Sequence, residues 1–403
     1  MNRKQKQIFA VLFFSIFSAV TGVGIVIPLL PVYAHDLGAS GLYISLIFGS
    51  FSISRTFLLP YFGRVSDKNG RRPYIVVGLF AYALVSCGFI LVSSVEALIG
   101  LRFLHGIASA MIMPVAQAYV GDITPKGKEG FYMGLFSMSM FASLSIGPFM
   151  GGVINHRYGL DAAFAGMGIM ALVAAFLSYF FLPKEDVGRE LKDDKPPASW
   201  GKILSNKMIA GLFLFRLTYT TCVGVVWCFM PLFANTEFGL NSSQTGTLVM
   251  LMVLVGGILH TPMGYISDRV NRSVLAVIGG LIIAVSMAVC GLADGYRFLI
   301  VACIVFGIGG GISLPAVSAA AVIEGKKEQA LGSVMSILTI AHSLGMLAGS
   351  LIAGLTMDYL KLSYAFPMGA IIMVAGVAGF VVMVMLHLRD QKTADNTSCR
   401  IVL

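Results

Sequence analysis

Long apolar stretches separated by short polar connections account for most of the chain. Twelve of them approach or exceed the roughly 20 residues that an α-helix needs to cross a bilayer. The pattern predicts an all-α membrane protein with twelve transmembrane helices, because a helix satisfies its backbone hydrogen bonds internally within lipid. The predicted spans are 8–34, 41–62, 74–93, 97–118, 133–155, 162–182, 208–234, 243–266, 274–294, 297–322, 331–357 and 364–388.

A repeat of about 200 residues divides the spans into two sets of six. The segment Gly63-Arg-Val-Ser-Asp-Lys-Asn-Gly-Arg-Arg has a degraded copy that begins at Gly264 and reads Gly-Tyr-Ile-Ser-Asp-Arg-Val-Asn-Arg. Spans 5 and 11 also end on related segments, which begin at Gly152 and Gly354. Two pseudo-symmetric six-helix halves within a membrane are typical of carriers that work by alternating access.

Polar segments set the predicted domain boundaries. We assign residues 1–182 to the first half, 183–207 to a cytoplasmic linker, 208–388 to the second half and 389–403 to a cytoplasmic tail. The linker contains mixed charges and two adjacent prolines. The polar composition of the tail predicts disorder.

The distribution of Lys and Arg predicts the orientation in the membrane. Of 28 such residues, 22 fall on the side of the N-terminus, three fall on the opposite side and three lie inside spans. Cytoplasmic loops carry the excess of positive charge, so we expect a multi-pass protein of the cell membrane with both termini in the cytoplasm. The first apolar run is longer than the roughly 7–15 residues of a signal-peptide core, so we expect it to be retained.

Composition excludes a soluble domain and narrows the choice of partners. Hydrophobic residues make up 57% of the chain and charged residues 12%, about half the charged share of a soluble domain. The net charge of +9 lies in short loops, which argues against nucleic acid. We expect a monomer whose partners are membrane lipid, a small-molecule substrate and coupling protons, with no metal or other cofactor. No acid–base pair is placed for an enzyme reaction.

Three motifs occur in order along the first half. They are the segment that begins at Gly63, the segment Arg102-Phe-Leu-His-Gly-Ile-Ala-Ser-Ala in span 4, and the segment Gly147-Pro-Phe-Met-Gly-Gly in span 5. In these motifs the chain resembles the major facilitator superfamily, and within it the drug:proton antiporter branch with twelve transmembrane helices. The resemblance covers the chain up to the tail and implies the major facilitator fold.

The motif after span 2 is a candidate conformational latch, formed by Gly63, Asp67, Gly70, Arg71 and Arg72. The two glycines permit tight turns, and the aspartate is expected to pair with Arg71 or with the N-terminus of a facing helix. A charge lock that forms in one conformation and breaks in another would bias a switch between them. The alternative is that these charges serve only as a cytoplasmic anchor.

The motif in span 5 comprises Gly147, Pro148, Gly151 and Gly152. A proline inside a helix frees a carbonyl group and bends the helix, and glycines four residues apart permit close helix contact. We expect a bent, tightly packed seam between halves that rock, with ordinary membrane packing as the alternative. The resemblance implies that this motif marks antiporters rather than symporters.

Six basic side chains inside the spans are the candidate substrate or proton pathway: Arg55, Arg102, His105, Arg216, His260 and His342. An arginine within a span costs roughly 2.5–3.5 kcal/mol on insertion scales, so such residues are expected to face the bundle interior. Histidine changes charge near neutral pH, and the resemblance ties Arg102 to proton movement. Structural alternatives remain open: Arg55 supporting the motif after span 2, and histidines that are simply hydrogen-bonded.

Acidic residues avoid the middle of the spans. All nineteen Asp and Glu residues lie in loops, in tails or at span ends. The chain departs here from the many drug antiporters of this family that use embedded acids. Either the histidines carry protons, or end-placed acids such as Asp36, Asp122 or Glu324 carry them, or coupling is different. A cavity lined by arginines and histidines favours neutral or anionic amphiphiles.

These observations together indicate a secondary active transporter that works by alternating access. Proton-coupled efflux of small amphipathic compounds such as drugs is the leading interpretation, because the motif in span 5 favours antiport. The alternative is an organic-anion carrier, by uptake or export, which the embedded arginines favour. A transporter-like sensor without transport is a third interpretation, against which the intact motif after span 2 argues.

Overall fold

The structure, a computed structural model, describes residues 2–125, 129–183, 205–328 and 331–401, without the side chains of Asp67, 129–131, 331–333 and 391–401. The described chain is almost entirely helical. Its long helices are α1 Arg3–Val26, α2 Gly41–Asn69, α3 Arg71–Leu91, α4 Val95–Ile123, α5 Glu129–Tyr158, α6 Leu160–Phe181, α7 Lys207–Phe238, α8 Ser242–Ser267, α9 Arg272–Gly291, α10 Tyr296–Lys327, α11 Leu331–Tyr359 and α12 Ala365–Ile401.

Twelve spans are long and apolar enough to cross a membrane within the described ranges. The first combines α1 with the short helix Leu30–Asp36, and each of the others is built on one long helix. The predicted all-α fold with twelve membrane helices is therefore confirmed. The predicted linker falls mostly on residues 184–204, which lie outside the described residues.

The same packing pattern occurs in both sets of six helices. In the first set α1 packs against α5 and α6, α2 against α4, and α3 against α4 and α6. In the second set α7 packs against α11 and α12, α8 against α10, and α9 against α10 and α12. Two helix pairs provide most of the contact between the halves, α2 with α11 and α5 with α8, and α7 also touches α2 and the short helix Leu30–Asp36. These two pairs frame the space between the halves.

The repeated motif has the same local geometry in both copies. The Ser66 hydroxyl donates to the Gly63 carbonyl at 2.8 Å, and the Ser267 hydroxyl donates to the Gly264 carbonyl at 2.7 Å. The copies differ where the next helix begins. Gly70 has φ of 91° and connects α2 directly to α3, whereas Asn271 caps α9 by accepting a hydrogen bond from a backbone amide. An asparagine cap supplies the acceptor that a helix start needs, which explains how the second copy tolerates the change.

Two expectations about helix ends were wrong. Gly63 does not form a turn, because α2 continues to Asn69, and of the two glycines in this motif Gly70 alone takes a positive φ. The residues after Gly63 are polar yet compatible with helix, so the helix extends beyond its apolar part. The tail predicted to be disordered from residue 389 is helical as far as Ile401. No glycine or proline interrupts it between those positions.

Candidate functional site

The halves meet closely where the start of α2 lies against the end of α11. The Ser45 hydroxyl donates to the Ser350 carbonyl at 2.5 Å. A Cβ atom on Gly41 would overlap the carbonyl oxygen of Gly354, so glycine is required for this approach. The backbones of the two helices are therefore in direct contact here.

A carboxylate from the second half caps a helix of the first half at the same place. Asp358, at the end of α11, accepts from the Gly41 amide at 2.6 Å through Oδ1 and from the Leu42 amide at 2.9 Å through Oδ2. The first amides of a helix have no partner within that helix, and the N-terminus of a helix favours negative charge. Sequence reasoning missed this contact, because the partners are more than 300 residues apart.

The glycines of the motif in α5 pack against two different helices, α1 and α8. A Cβ on Gly147 would lie 2.7 Å from the Thr21 carbonyl oxygen of α1, and one on Gly151 would overlap the Ile25 carbonyl of the same helix. Gly152 instead faces Ser242 of α8, in the other half. The motif therefore packs α1 within its own half and also forms part of the contact between halves.

The second contact between halves resembles the first. Asn155, near the end of α5, donates through Nδ2 to the Ser242 hydroxyl at 2.5 Å. A Cβ on Gly246 of α8 would overlap the carbonyl oxygen of Pro148, which lies inside α5. We call the two contacts together the outer seam; its members are Gly41, Ser45, Ser350, Gly354 and Asp358 on α2 and α11, and Pro148, Gly152, Asn155, Ser242 and Gly246 on α5 and α8.

The outer seam closes the end of the molecule opposite the chain termini. Four hydrogen bonds between the two halves belong to it. It joins the first residues of α2 and α8 to the last residues of α11 and α5. Because α1 starts at the other end of the bundle, the seam and the N-terminus lie on opposite sides.

Arg55 and His342 lie just beyond the seam, on facing helices. Along the antiparallel pair α2 and α11, Gly49 follows the seam and approaches Leu347. Arg55 lies about 9 Å further along α2, and His342 about 7.5 Å further along α11, at 1.5 Å per residue. Arg55 is half-buried, its buried Nε has no hydrogen-bond partner, and it interacts electrostatically with His342.

Arg216 approaches the same histidine from α7. Its Nη2 lies 3.5 Å from His342 Nδ1, and its guanidinium lies 5.8 Å from the centre of the Tyr219 ring. Tyr219 stacks on Phe306 of α10, with ring centres 6.3 Å apart. Cation–π contacts of this kind extend to about 6 Å and are weaker than ion pairs in lipid-like surroundings. The arginine is thus positioned by an imidazole and an aromatic ring.

His260 extends this group across the other pair of helices. Its ring centre lies 5.1 Å from that of Phe141 of α5, and it interacts electrostatically with Arg216. We call Arg55, Arg216, His260 and His342 the arginine–histidine cluster. Four of the six predicted basic residues therefore come together between the halves.

Arg102 and His105 form a separate pair inside the first half. Arg102 Nη1 lies 3.2 Å from His105 Nδ1, and both residues are buried. The guanidinium lies over Phe48 and Phe51 of α2, at 5.2 and 4.7 Å from the ring centres. Buried Nε of Arg102 and Nε2 of His105 have no hydrogen-bond partner. The structure thus places this pair among aromatic rings of the first half, and Arg102 also interacts electrostatically with Cys228 of α7 in the second half.

The motif after span 2 forms an ion pair that sequence reasoning did not assign. Arg71 Nε lies 3.1 Å from Asp122 Oδ2, and Nη1 lies 2.9 Å from the Ser66 hydroxyl. Arg72 donates to the Tyr179 carbonyl and lies over the Tyr179 ring. The side chain of Asp67, to which we assigned the pairing, lies outside the described residues. The signal for Asp122 was its place at the end of span 4, where it was considered only as a proton carrier.

The end-placed acids lie away from the arginine–histidine cluster. Asp122 pairs with Arg71, and Glu324 accepts from Lys327 at 2.6 Å. Asp36 is exposed at the seam end, with one carboxylate oxygen 3.8 Å from His35 Nδ1. Within the described residues, neither Arg55 nor Arg216 forms an ion pair with a carboxylate. The cluster is therefore a cationic site without a protein counter-ion in the described part of the chain.

Two six-helix halves with a charged site between them define a polytopic membrane carrier. The sequence matches the Major Facilitator Superfamily over residues 12–322 and 217–398, and the chain belongs to that family. Members of the family are transporters rather than enzymes, and a small-molecule substrate follows from membership. The resemblance inferred from the three motifs is confirmed.

Relatives with names that describe drug resistance cover nearly the whole chain. Multidrug resistance protein 2 of Bacillus subtilis is 27% identical over 93% of this chain and 94% of its own length. Quinolone resistance protein NorA of Staphylococcus aureus is 27% identical over 88% of this chain and 90% of its own length. An uncharacterized MFS-type transporter of Methanocaldococcus jannaschii is 28% identical over 94% of this chain and 99% of its own length.

Solved structures share the fold at low identity. A bacterial homolog of the human lysosomal transporter Spinster, in an inward-facing and unoccupied conformation, superposes with a TM-score of 0.78 at 14% identity and covers 98% of each chain. The nucleoside transporter NupG superposes with a TM-score of 0.75 at 15% identity and covers 93% of this chain and 99% of that one. At these identities the likeness concerns the fold alone.

Proposed function

We propose that this transporter exports small amphipathic compounds, including drugs, in exchange for protons. The observation that carries the proposal is the arginine–histidine cluster, which lies between the two halves just beyond the closed outer seam. A site in this position is exposed to one side when the seam is closed and to the other when it opens. The drug-resistance names of relatives at 27% identity support efflux as the direction.

The proposed cycle uses the outer seam as one of its gates. The seam is built from glycine contacts and a few hydrogen bonds, which are short-range and are lost together when the helices separate. With both termini in the cytoplasm, the structure corresponds to the state that is closed to the outside. Substrate then enters from the cytoplasm, and opening of the seam releases it on the other side.

Histidines are the proposed proton carriers. His342 and His260 lie in the cluster, whereas the end-placed acids lie elsewhere. Among ionisable side chains, unperturbed histidine titrates nearest to neutral pH. The positive charges of Arg216 and Arg55 oppose a proton on His342, so occupancy of the site by a substrate changes how readily His342 takes up a proton. Arg102 and His105 remain a second proposed position for the proton inside the first half.

The proposed setting is the plasma membrane, with a monomer as the working unit. Each half contributes one arginine to the cluster, so a single chain contains the whole site. The expected sidedness rests on the excess of Lys and Arg on the side of the termini. In that orientation the outer seam faces away from the cytoplasm.

Transport in proteoliposomes with an imposed pH gradient tests the proposal. We expect substrate flux in one direction to produce proton flux in the other, and a protonophore to abolish the driving force. Matched cationic, neutral and anionic amphiphiles would be compared, with empty liposomes as the control for passive leakage. Substrate flux that is unaffected by the pH gradient would contradict proton coupling, and no flux of any amphiphile would contradict efflux of this class.

A further inference from the structure

We propose that the transported compound carries an anionic group, which binds between Arg55 of the first half and Arg216 of the second. The inference rests on the proposed function and specifies the substrate class of the same site. It differs from the general expectation for amphiphiles, because it predicts selection by charge. The two guanidinium groups would each donate hydrogen bonds to one carboxylate, sulfonate or phosphate.

The first step is the absence of a counter-ion for two embedded charges. A charged group in the membrane is normally paired or hydrogen-bonded. Among the described residues, Arg216 contacts only neutral or basic groups, namely His342 and the Tyr219 ring. Arg55 has a buried Nε without a partner. An anionic ligand would supply the missing charge and the missing acceptor at once.

The second step is convergence. Arg55 is on α2 and Arg216 is on α7, yet both interact electrostatically with His342 on α11. The direct contact of Arg216 with His342 and the register of α2 against α11 place both arginines around this histidine. Guanidinium groups bind carboxylate and phosphate oxygens through parallel hydrogen bonds. Two such groups around one position form a suitable cradle for an anion.

The third step is the apolar surface beside the charges. The Tyr219 ring lies against Arg216 and stacks on Phe306. On the other pair of helices, Phe141 lies beside His260. Aromatic surfaces next to a few placed polar groups are typical of sites for amphipathic small molecules. The site therefore suits an aromatic or aliphatic body that ends in an anionic group.

The fourth step concerns the two halves. Like charges on opposite halves repel each other in the empty site, and a bound anion replaces that repulsion with attraction to both sides. A ligand shifts a conformational equilibrium only by its different affinity for the two states. An anion that bridges Arg55 and Arg216 has a different affinity for the two states, because it contacts both halves only in the state in which both arginines reach it.

Binding to the purified full-length protein in nanodiscs is the direct test. Three probes share one aromatic body and differ in charge: naphthalene-2-sulfonate, 2-naphthylmethanol and trimethyl(2-naphthylmethyl)ammonium. Isothermal titration calorimetry would measure each dissociation constant. We expect the sulfonate to bind at least about tenfold more tightly than the other two, as charge-assisted hydrogen bonds imply.

Arginine variants test whether the cluster is the cause. Arg216→Gln should weaken sulfonate binding by about tenfold or more and leave binding of the neutral probe unchanged, and Arg216→Lys should keep part of the preference. Arg55→Gln should act in the same direction. The control is Arg297→Gln, an exposed arginine at the start of α10, which should alter neither. Circular dichroism would establish that each variant is folded.

The outcomes separate this inference from the proposed function. Equal binding of the three probes, or sulfonate binding that is unchanged in both arginine variants, would overturn the anionic substrate. If the trimethylammonium probe were then exported in exchange for protons, the proposal of proton-coupled efflux would stand and that of an anionic substrate would fall. Selective sulfonate export driven by an inside-negative potential, with no response to a pH gradient, would support the anionic substrate and contradict proton coupling. Failure of every probe to bind or move would count against both.

Discussion

Arg71 and Arg272 occupy the same position in the two copies of the repeated motif but lie in different surroundings. Arg71 is buried and pairs with Asp122 of α4 at 3.1 Å. Arg272 pairs with Asp268 in its own segment at the same distance, but that aspartate side chain is 71% exposed. Removing one partner of a pair that is shielded from water costs more than removing one partner of an exposed pair, because the remaining charge is left buried and unpaired.

We expect Asp122→Asn to destabilise the protein and Asp268→Asn to have little effect. Removing the carboxylate leaves the buried Arg71 with a weaker acceptor, at a cost of about 1.5–3 kcal/mol for a charged hydrogen bond. The exposed pair contributes at most about 1 kcal/mol. Thermal unfolding in detergent should therefore show a clearly lower apparent Tm only for Asp122→Asn. Equal changes in the two variants would mean that burial of the first pair is unimportant.

The arginine–histidine cluster shows what a residue pattern can indicate about a site. Each of its members was predicted, because a basic side chain within an apolar span is costly and stands out. The grouping was not predictable, because Arg55 and Arg216 belong to different halves. The pattern equally favoured Arg102 and His105, which the structure places in a separate buried pair.

Helix ends are the parts that hold the two halves together. At the outer seam, Asp358 of α11 binds the first amides of α2, and Asn155 of α5 binds Ser242 at the start of α8. The two contacts are related by the repeat of the chain, but only one of them has a charge. The carboxylate satisfies two amides and complements the positive end of the helix, so it is the stronger of the two.

We expect Asp358→Asn to shift the protein toward the state in which the outer seam is open. The amide keeps one acceptor oxygen but loses the charge and the second oxygen. We expect this loss to destabilise the closed seam by about 1–2 kcal/mol, which changes the ratio of open to closed molecules by a factor of roughly 5–30. Spin labels at Tyr158→Cys and Leu292→Cys, both exposed at the outer ends of opposite halves, would report the distance by double electron–electron resonance. Longer distances should become more populated.

Asp161→Asn is the matched control for the seam. Asp161 is an exposed acid in the first turn of α6, at the same end of the molecule. Among the described residues it makes no hydrogen bond to the other half. Its substitution should leave the distance distribution unchanged, whereas an identical shift in both variants would show that surface charge, rather than the contact with α2, controls the seam.

The whole molecule has a charge asymmetry that fixes its expected orientation. Lys and Arg are concentrated in the connections on the side of the termini, and the outer seam lies at the other end. The sidedness therefore decides whether the observed conformation is closed to the outside or to the cytoplasm. From the positive-inside rule we propose that it is closed to the outside.

Labelling with a membrane-impermeant maleimide tests this orientation in intact cells. In a background without the six native cysteines, Asp294→Cys in the exposed connection between α9 and α10 should react from outside. Lys4→Cys, exposed near the N-terminus, should react only after the membrane is permeabilised. The reverse pattern would place the seam on the cytoplasmic side and invert the proposed direction of opening.

The sequence by itself determined the class of protein, the number of spans, the repeat and the residues that are costly in a membrane. These properties depend on composition and on local periodicity, because lipid imposes a nearly uniform requirement on every spanning segment. Apolar length alone did not determine helix ends such as that of α2, which extends to Asn69, since polar residues beyond the bilayer can continue a helix. Only the tertiary structure decided which basic residues share a site and which carboxylate closes the outer seam. Those contacts join residues far apart in the chain, and their formation depends on how the two halves pack.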